Sequence, residues 1–136
     1  MPYWLIKTEP STWSWQDQQR QTRTAWDGVR NYQAANNLKA MSVGDLCLFY
    51  HSVTDKKIMG IVSVVKPYYP DPSDEMGRFG MVDVRYKESF LNPVRLETIK
   101  HHPQLQHLAL VRQSRLSVMP IDQESWAIIL NLSQQA

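Results

Sequence analysis

Short apolar runs, each cut off by turn-forming residues, constrain this chain more than any other feature. Tyr3 to Lys7 is one such run, and Glu9-Pro10-Ser11 ends it. Leu46 to His51 and Ile58 to Val65 are β-rich runs joined by Thr54-Asp55-Lys56-Lys57, the arrangement of a hairpin. Met81 to Tyr86 carries β-branched Val82 and Val84 and reads as a further strand, and Phe90 to Leu96 is extended around Pro93. Thr22 to Trp26 fits a short strand ending at Gly28. No apolar run approaches the length of a membrane span, and no long β-α-β rhythm is visible. The pattern predicts a mixed α+β fold: a small curved sheet with short helices at its rim.

The helices are short as well. Ser14 with Asp17 three residues on marks a helix start, predicting a helix over Ser14 to Arg20. Tyr32, Ala35, Leu38 and Met41 recur along one side of a helix over Asn31 to Met41, which places Tyr32 toward the core. Lys66 to Arg78 is crowded with Pro, Asp and Gly and is predicted to be a loop. Glu97 to His101 fits a helical turn, and Leu105 to Leu110 an apolar helix. Asp122 is a candidate N-cap for a closing helix with Trp126, Ile129 and Leu130 on its apolar side.

A length of 136 residues points to a single domain over residues 1–136 that buries a sizeable core. The formal charge of +2 excludes a protein that coats duplex DNA by charge alone, but it permits a local basic face. Cys47 is the sole cysteine, so no disulfide forms within the chain; inside an apolar run it reads as a small core hydrophobe. Met1 to Leu5 lacks the features of a signal peptide, and the expected setting is a reducing cytoplasm. His101, His102 and His107 lack acids or thiols at ligand spacing, so no metal is expected.

One stretch stands apart. Trp26 to Ala34 sets Trp, Asp, Arg, Asn, Tyr and Gln around a single Gly. A nucleobase needs a flat apolar surface for its face and donors and acceptors for its edge, and this composition supplies both. The plainer reading is a partly buried Trp before a polar turn and a helix.

Four blocks stand together in order: Tyr3 to Pro10, Trp26 to Ala34, Gly44-Asp45 with Phe49-Tyr50-His51-Ser52, and Arg112 to Val118. With Met81 to Val84 and Glu124-Ser125-Trp126, this order resembles the EVE domain family over nearly the whole chain. The resemblance implies a PUA-like fold, a compact barrel-like sheet with peripheral helices. The same superfamily holds the YTH readers of methylated adenine and the SRA readers of methylated cytosine. It implies recognition of a modified base, flipped or unpaired, in an aromatic pocket. The chain departs from the family in three places. Val53 follows His51-Ser52 where the family commonly has Asn. Ile58-Met59 precedes Gly60 where it usually has Pro-Gly. A short Gly77-Arg78-Phe79 replaces a Pro-Arg-Trp segment.

The candidate base-binding residues are Trp26, Asp27, Asn31, Gln33, Lys7, Thr8, Tyr50, His51 and Ser52. Trp26 is the stacking candidate, at a strand end where one face can stay exposed. Asn31 and Gln33 carry amides able to read a base edge, and Asn31 equally suits a helix N-cap. Lys7 and Thr8 offer a cation and a hydroxyl; Ser52 offers a hydroxyl, and His51 a ring that stacks, hydrogen-bonds or is structural. Asp27 is an acceptor for a base amine or a partner of Arg30, and Glu9 a partner for Lys7 or Arg30. Arg30, Arg112 and Arg115 form a candidate phosphate clamp, or else a solvated surface with acid partners such as Asp83. Trp13 and Trp15 read mainly as packing. Trp26, Asn31 and Ser52 are expected to line one concave site.

The sequence thus predicts a non-catalytic reader of a modified base in DNA or RNA, with no cofactor and no membrane association, and a monomer. The alternatives are an enzyme acting on nucleic acid or a nucleotide, and a peptide-binding domain using the same groove. No nucleophile, metal set or carboxylate pair joins the pocket candidates.

Overall fold

The computed structural model describes residues 2–135, leaving Met1 and Ala136 outside the description. The chain runs β1 (Tyr3–Thr8), α1 (Trp15–Gln21), β2 (Arg23–Ala25), α2 (Tyr32–Ala40), β3 (Leu46–His51), β4 (Lys57–Pro70), β5 (Gly80–Arg95), α3 (Leu96–His101), α4 (Ala109–Arg112), β6 (Val118–Ile121) and α5 (Gln123–Gln134), with a 3-10 turn at Pro103–Leu105. The strands form a six-stranded sheet in the order β2-β5-β4-β3-β1-β6. Among the described residues only β1 and β3 pair in parallel; the other neighbours are antiparallel. The mixed α+β class expected from the short runs is the observed one.

Helix starts follow their capping residues. The Ser14 hydroxyl accepts from the Asp17 amide at 3.1 Å and the Asp17 carboxylate accepts from the Ser14 amide at 3.0 Å, a closed capping box. The Asn31 side chain accepts from the Ala34 amide at 2.9 Å, so Asn31 caps α2. Asp122 caps α5 through the Ser125 amide at 3.1 Å. Trp126 and Ile129 are buried along that helix.

Three expectations need correcting. The predicted loop from Lys66 starts later, because β4 runs on to Pro70 and pairs with β5 through Tyr69 and Pro70. The long β4–β5 ladder carries the irregular registers that a Pro-rich strand requires, and these let it continue past Pro67. The segment at Leu105 to Leu110 is a 3-10 turn and a separate helical turn, not one helix. Tyr32 is 61% exposed. It opens α2 from the outside and packs on Phe79 at 4.9 Å, so its helical register with Leu38 did not carry it inward.

The sheet curls. β2 and β1 are far apart in strand order, yet residues of both line a single cavity described below. An aromatic cluster fills the curl. Phe49 meets Trp15 at 4.8 Å and Trp26 edge-on at 5.5 Å, and Trp15 also meets Tyr86 at 5.2 Å. Gly60 makes room for it. A Cβ there would stand 2.4 Å from the Trp15 ring and 2.5 Å from the Glu88 carbonyl oxygen. Leu5, Ile6, Leu48, Ile58, Val62 and Met119 complete the core with no exposure above 2%.

Candidate nucleic-acid interface

Strand pairing brings the candidate residues to one end of the sheet. The parallel register sets Lys7 beside Tyr50 and Thr8 beside His51. On the other side of β1, the Lys7 amide donates to the Ser117 carbonyl at 2.9 Å, which draws the Arg112–Ser117 link alongside. β2 hands the chain to the Trp26–Arg30 turn, whose first amide donates to the Val82 carbonyl at 2.7 Å.

Three adjoining concavities result, in place of the single one expected. A cavity of about 450 Å³ is lined by Lys7, Thr8, Trp13, Trp26, Asp27 and Arg30, among others. A second, of about 510 Å³, shares Lys7, Thr8 and Ser117 with it and adds Tyr50, Ser52 and Arg115. A third, of about 330 Å³, takes Asn31, Gln33 and Arg112 and shares Ser114 and Arg115 with the second. Trp26, Asn31 and Ser52 therefore fall one to each. Lys7, whose ammonium donates to the Ser114 carbonyl at 3.0 Å, lines the first two, and Ser114 lines the second and third.

The side chains divide by burial. Trp26 is 7% exposed, so the open face expected at a strand end is largely covered by Phe49 and the body of the sheet. Trp13, expected to be packing, is only half-buried and lines the same cavity, its indole N–H donating to Gln18 at 2.9 Å. Tyr50 is buried at 2% exposure, and burial pushes its phenol up to about 12. His51 is buried too. Its Nε2 accepts from the Trp15 amide at 2.9 Å, latching the start of α1 to the end of β3. Burial, and next the Lys57 charge, hold the imidazole below its ordinary pKa, which suits an acceptor nitrogen. Ser52 donates to the Thr8 carbonyl at 3.2 Å. Thr8 donates to the Trp13 carbonyl at 2.8 Å, tying the cavity floor to the Trp13 wall.

Of the three candidate clamp arginines, Arg112 and Arg115 line the third concavity together, while Arg30 lines the first. Arg30 pairs with Asp71 at 3.1 Å, not with Asp27 or Glu9, and donates to Ser73 at 3.0 Å. Arg112 donates to the Gln106 carbonyl at 3.1 Å beside the third concavity. Asp83 pairs with Arg23, leaving Arg112 and Arg115 without it. Asp71 escaped the sequence reading because Gly28 and Arg30, which it ties together, are more than forty residues away. Its fully covered carboxylate accepts from the Gly28 amide at 2.9 Å and from the Ser73 amide at 2.8 Å, as well as from Arg30. Burial opposes its ionisation, but the bonds from Ser73, Gly28 and Arg30 win and bring its pKa down to about 2. Gly28 at φ +80° supplies the reversal that points its amide at Asp71.

The EVE domain model matches residues 2–132. This chain belongs to the EVE domain family. Thymocyte nuclear protein 1 of Rattus norvegicus is 34% identical over 97% of this chain and 74% of its own length. A crystal structure of a protein from Agrobacterium tumefaciens is 38% identical, with a TM-score of 0.94 over 100% of this chain and 95% of that one. The crystal structure of human THYN1 protein in complex with 5-methylcytosine-containing DNA is 32% identical, with a TM-score of 0.93 over 100% of this chain and 99% of that one. The PUA-like architecture implied by the sequence blocks is thereby the fold of this EVE domain.

Membership gives Val53 a physical meaning. The residue after His51-Ser52 has φ +73°, a left-handed conformation that Asn tolerates and a β-branched side chain resists. Val53 is 63% exposed, so little burial compensates. Val53→Asn is expected to raise stability by about 1 kcal/mol. Urea unfolding of both proteins checks this; an equal or lower midpoint for the variant would show that the turn is unstrained.

Proposed function

We propose that this chain binds nucleic acid and holds a modified base, without transforming it, in the cavity walled by Trp13 and Trp26. One observation carries the reading: Trp13 and Trp26, from separate segments, line one space together with Thr8, Lys7 and Asp27. At about 450 Å³ the space falls within the range of small-ligand sites. A base stacks on Trp13, the more open indole, while the edge of Trp26 closes the end; the polar groups serve the base edge. The likeness to a protein solved with 5-methylcytosine DNA supports the same ligand class here.

A methyl group adds only about 0.8 kcal/mol by buried area, a several-fold preference. Stronger selectivity requires a polar contact to the modification, and Asp27 and Thr8 are the groups available. Catalysis finds little support. Cys47 is fully buried in mid-strand, its thiol pushed up by burial and then by Asp45, so it is not a nucleophile. Asp27 and Glu9 line different concavities.

Trp13→Ala is expected to weaken binding of a 5-methylcytosine duplex by about 1–3 kcal/mol while the protein still unfolds cooperatively. Calorimetric titration of modified and plain duplexes measures it, and unchanged affinity would remove the stacking role. Product analysis after incubation with either duplex tests the absence of chemistry. Turnover abolished by Asp27→Asn would establish an enzyme instead.

A further inference from the structure

The second concavity is the larger of the two main ones, and the base reading leaves it unused. Three cations line it, Lys7, Lys56 and Arg115, against one carboxylate, Glu9, which is itself exposed. Among the described residues neither Lys56 nor Arg115 has an acidic partner within ion-pair distance. The nearest acid in the hairpin, Asp55, is taken by Lys57 at 2.8 Å. Lys7 is held in place by the Ser114 carbonyl, with the Tyr50 ring 5.7 Å from its ammonium. Burial, and then the Lys56 charge, keep the Lys7 ammonium below its ordinary pKa, so the two lysines repel each other across the basin. An anion between them would relieve that repulsion. Beyond Lys56 a smaller basin continues with Arg95 and Lys100, against one carboxylate, Glu97.

We infer that this basin holds a backbone phosphodiester of the bound strand, adjacent to the nucleotide whose base enters the Trp13–Trp26 cavity. The inference rests on the nucleic-acid reading above and deepens it. The shared wall of Lys7, Thr8 and Ser117 is what makes base and phosphate neighbours. Positive charge is therefore used locally, which is why a chain of net charge +2 can still grip a polyanion. Lys56 joins Arg115 in place of Arg30, whose charge Asp71 already neutralises.

The test uses 5-methylcytosine duplexes carrying one neutral methylphosphonate at successive linkages around the modified base. One linkage is expected to weaken binding several-fold in the natural protein and to have no further effect in Lys56→Gln. Lys56→Gln and Arg115→Gln should each lower the salt slope by about one unit. Inorganic phosphate gives an arm independent of any base. It should shift the Lys7 side-chain resonance saturably, and less tightly in either variant. Discrimination of the modified base without linkage-specific coupling to Lys56 overturns the phosphate site alone. Coupling without discrimination overturns the base reading alone. If the duplexes do not bind, the phosphate titration decides: an absent response, or one indifferent to both variants, refutes the site.

Discussion

Trp26→Ala is expected to lower folding stability by about 3–5 kcal/mol, the cost of removing a buried indole. The indole packs edge-on to Phe49 at 5.5 Å and is only 7% exposed, so its loss leaves a hole inside the curl of the sheet. The sequence places Trp26 at a strand end, where one face can stay exposed. The structure makes it a core residue with one edge at the cavity. Urea unfolding reads the effect, and a loss below about 1 kcal/mol would mean that the site collapses freely. Trp26→Phe retains a ring against Phe49 and should fall between the two proteins. A binding defect in Trp26→Ala is therefore uninformative by itself, which is why Trp13 carries the binding test.

Asp71→Asn is expected to cost about 2 kcal/mol at neutral pH, the linkage equivalent of lowering a carboxyl from 3.8 to about 2 on folding. An amide of the same shape brings donors to a position where the Gly28 amide, the Ser73 amide and the Arg30 guanidinium all donate. The pH dependence has a definite sign. The folded-state pKa is depressed, so the unfolded chain binds more protons below its own value. The stabilisation is present above about pH 3.8 and is lost as pH falls through about 2. The gap between the natural protein and the variant should close over that window. Asp122, also brought down to about 2, contributes in the same window but cancels in the comparison. Unfolding free energies at neutral pH and at pH 3 measure this; a constant gap would mean that Asp71 is not held ionised. Because Asp71 fixes Gly28 and Arg30, the variant should also loosen the wall of the base cavity, visible as faster amide exchange at Gly28.

What was legible in the sequence was local. Ser14, Asn31 and Asp122 cap helices because capping depends only on a side chain and an amide two or three residues on. The apolar runs became strands because each is short, β-rich and bounded by turn residues. The blocks that resemble the EVE family implied the PUA-like fold that these strands build, since a family pattern carries more than local propensity does. Tyr32 shows the limit of periodicity. Helical spacing locates a side, but the neighbouring loop decided that this side of the first turn meets Phe79 and solvent.

The sequence by itself determined the α+β class, the capped starts of three helices and the family. Tertiary structure alone decided how the candidate segments meet. Lys7 reaches across to the Ser114 carbonyl; Asp71 reaches Gly28 and Arg30 and pairs with that arginine; Trp13 is half-buried at the cavity that Trp26 also lines from the core. The physical reason is range. Capping and strand propensity are settled within a few residues, whereas burial, ion pairing and the division of a cavity depend on side chains that only the curled sheet brings together.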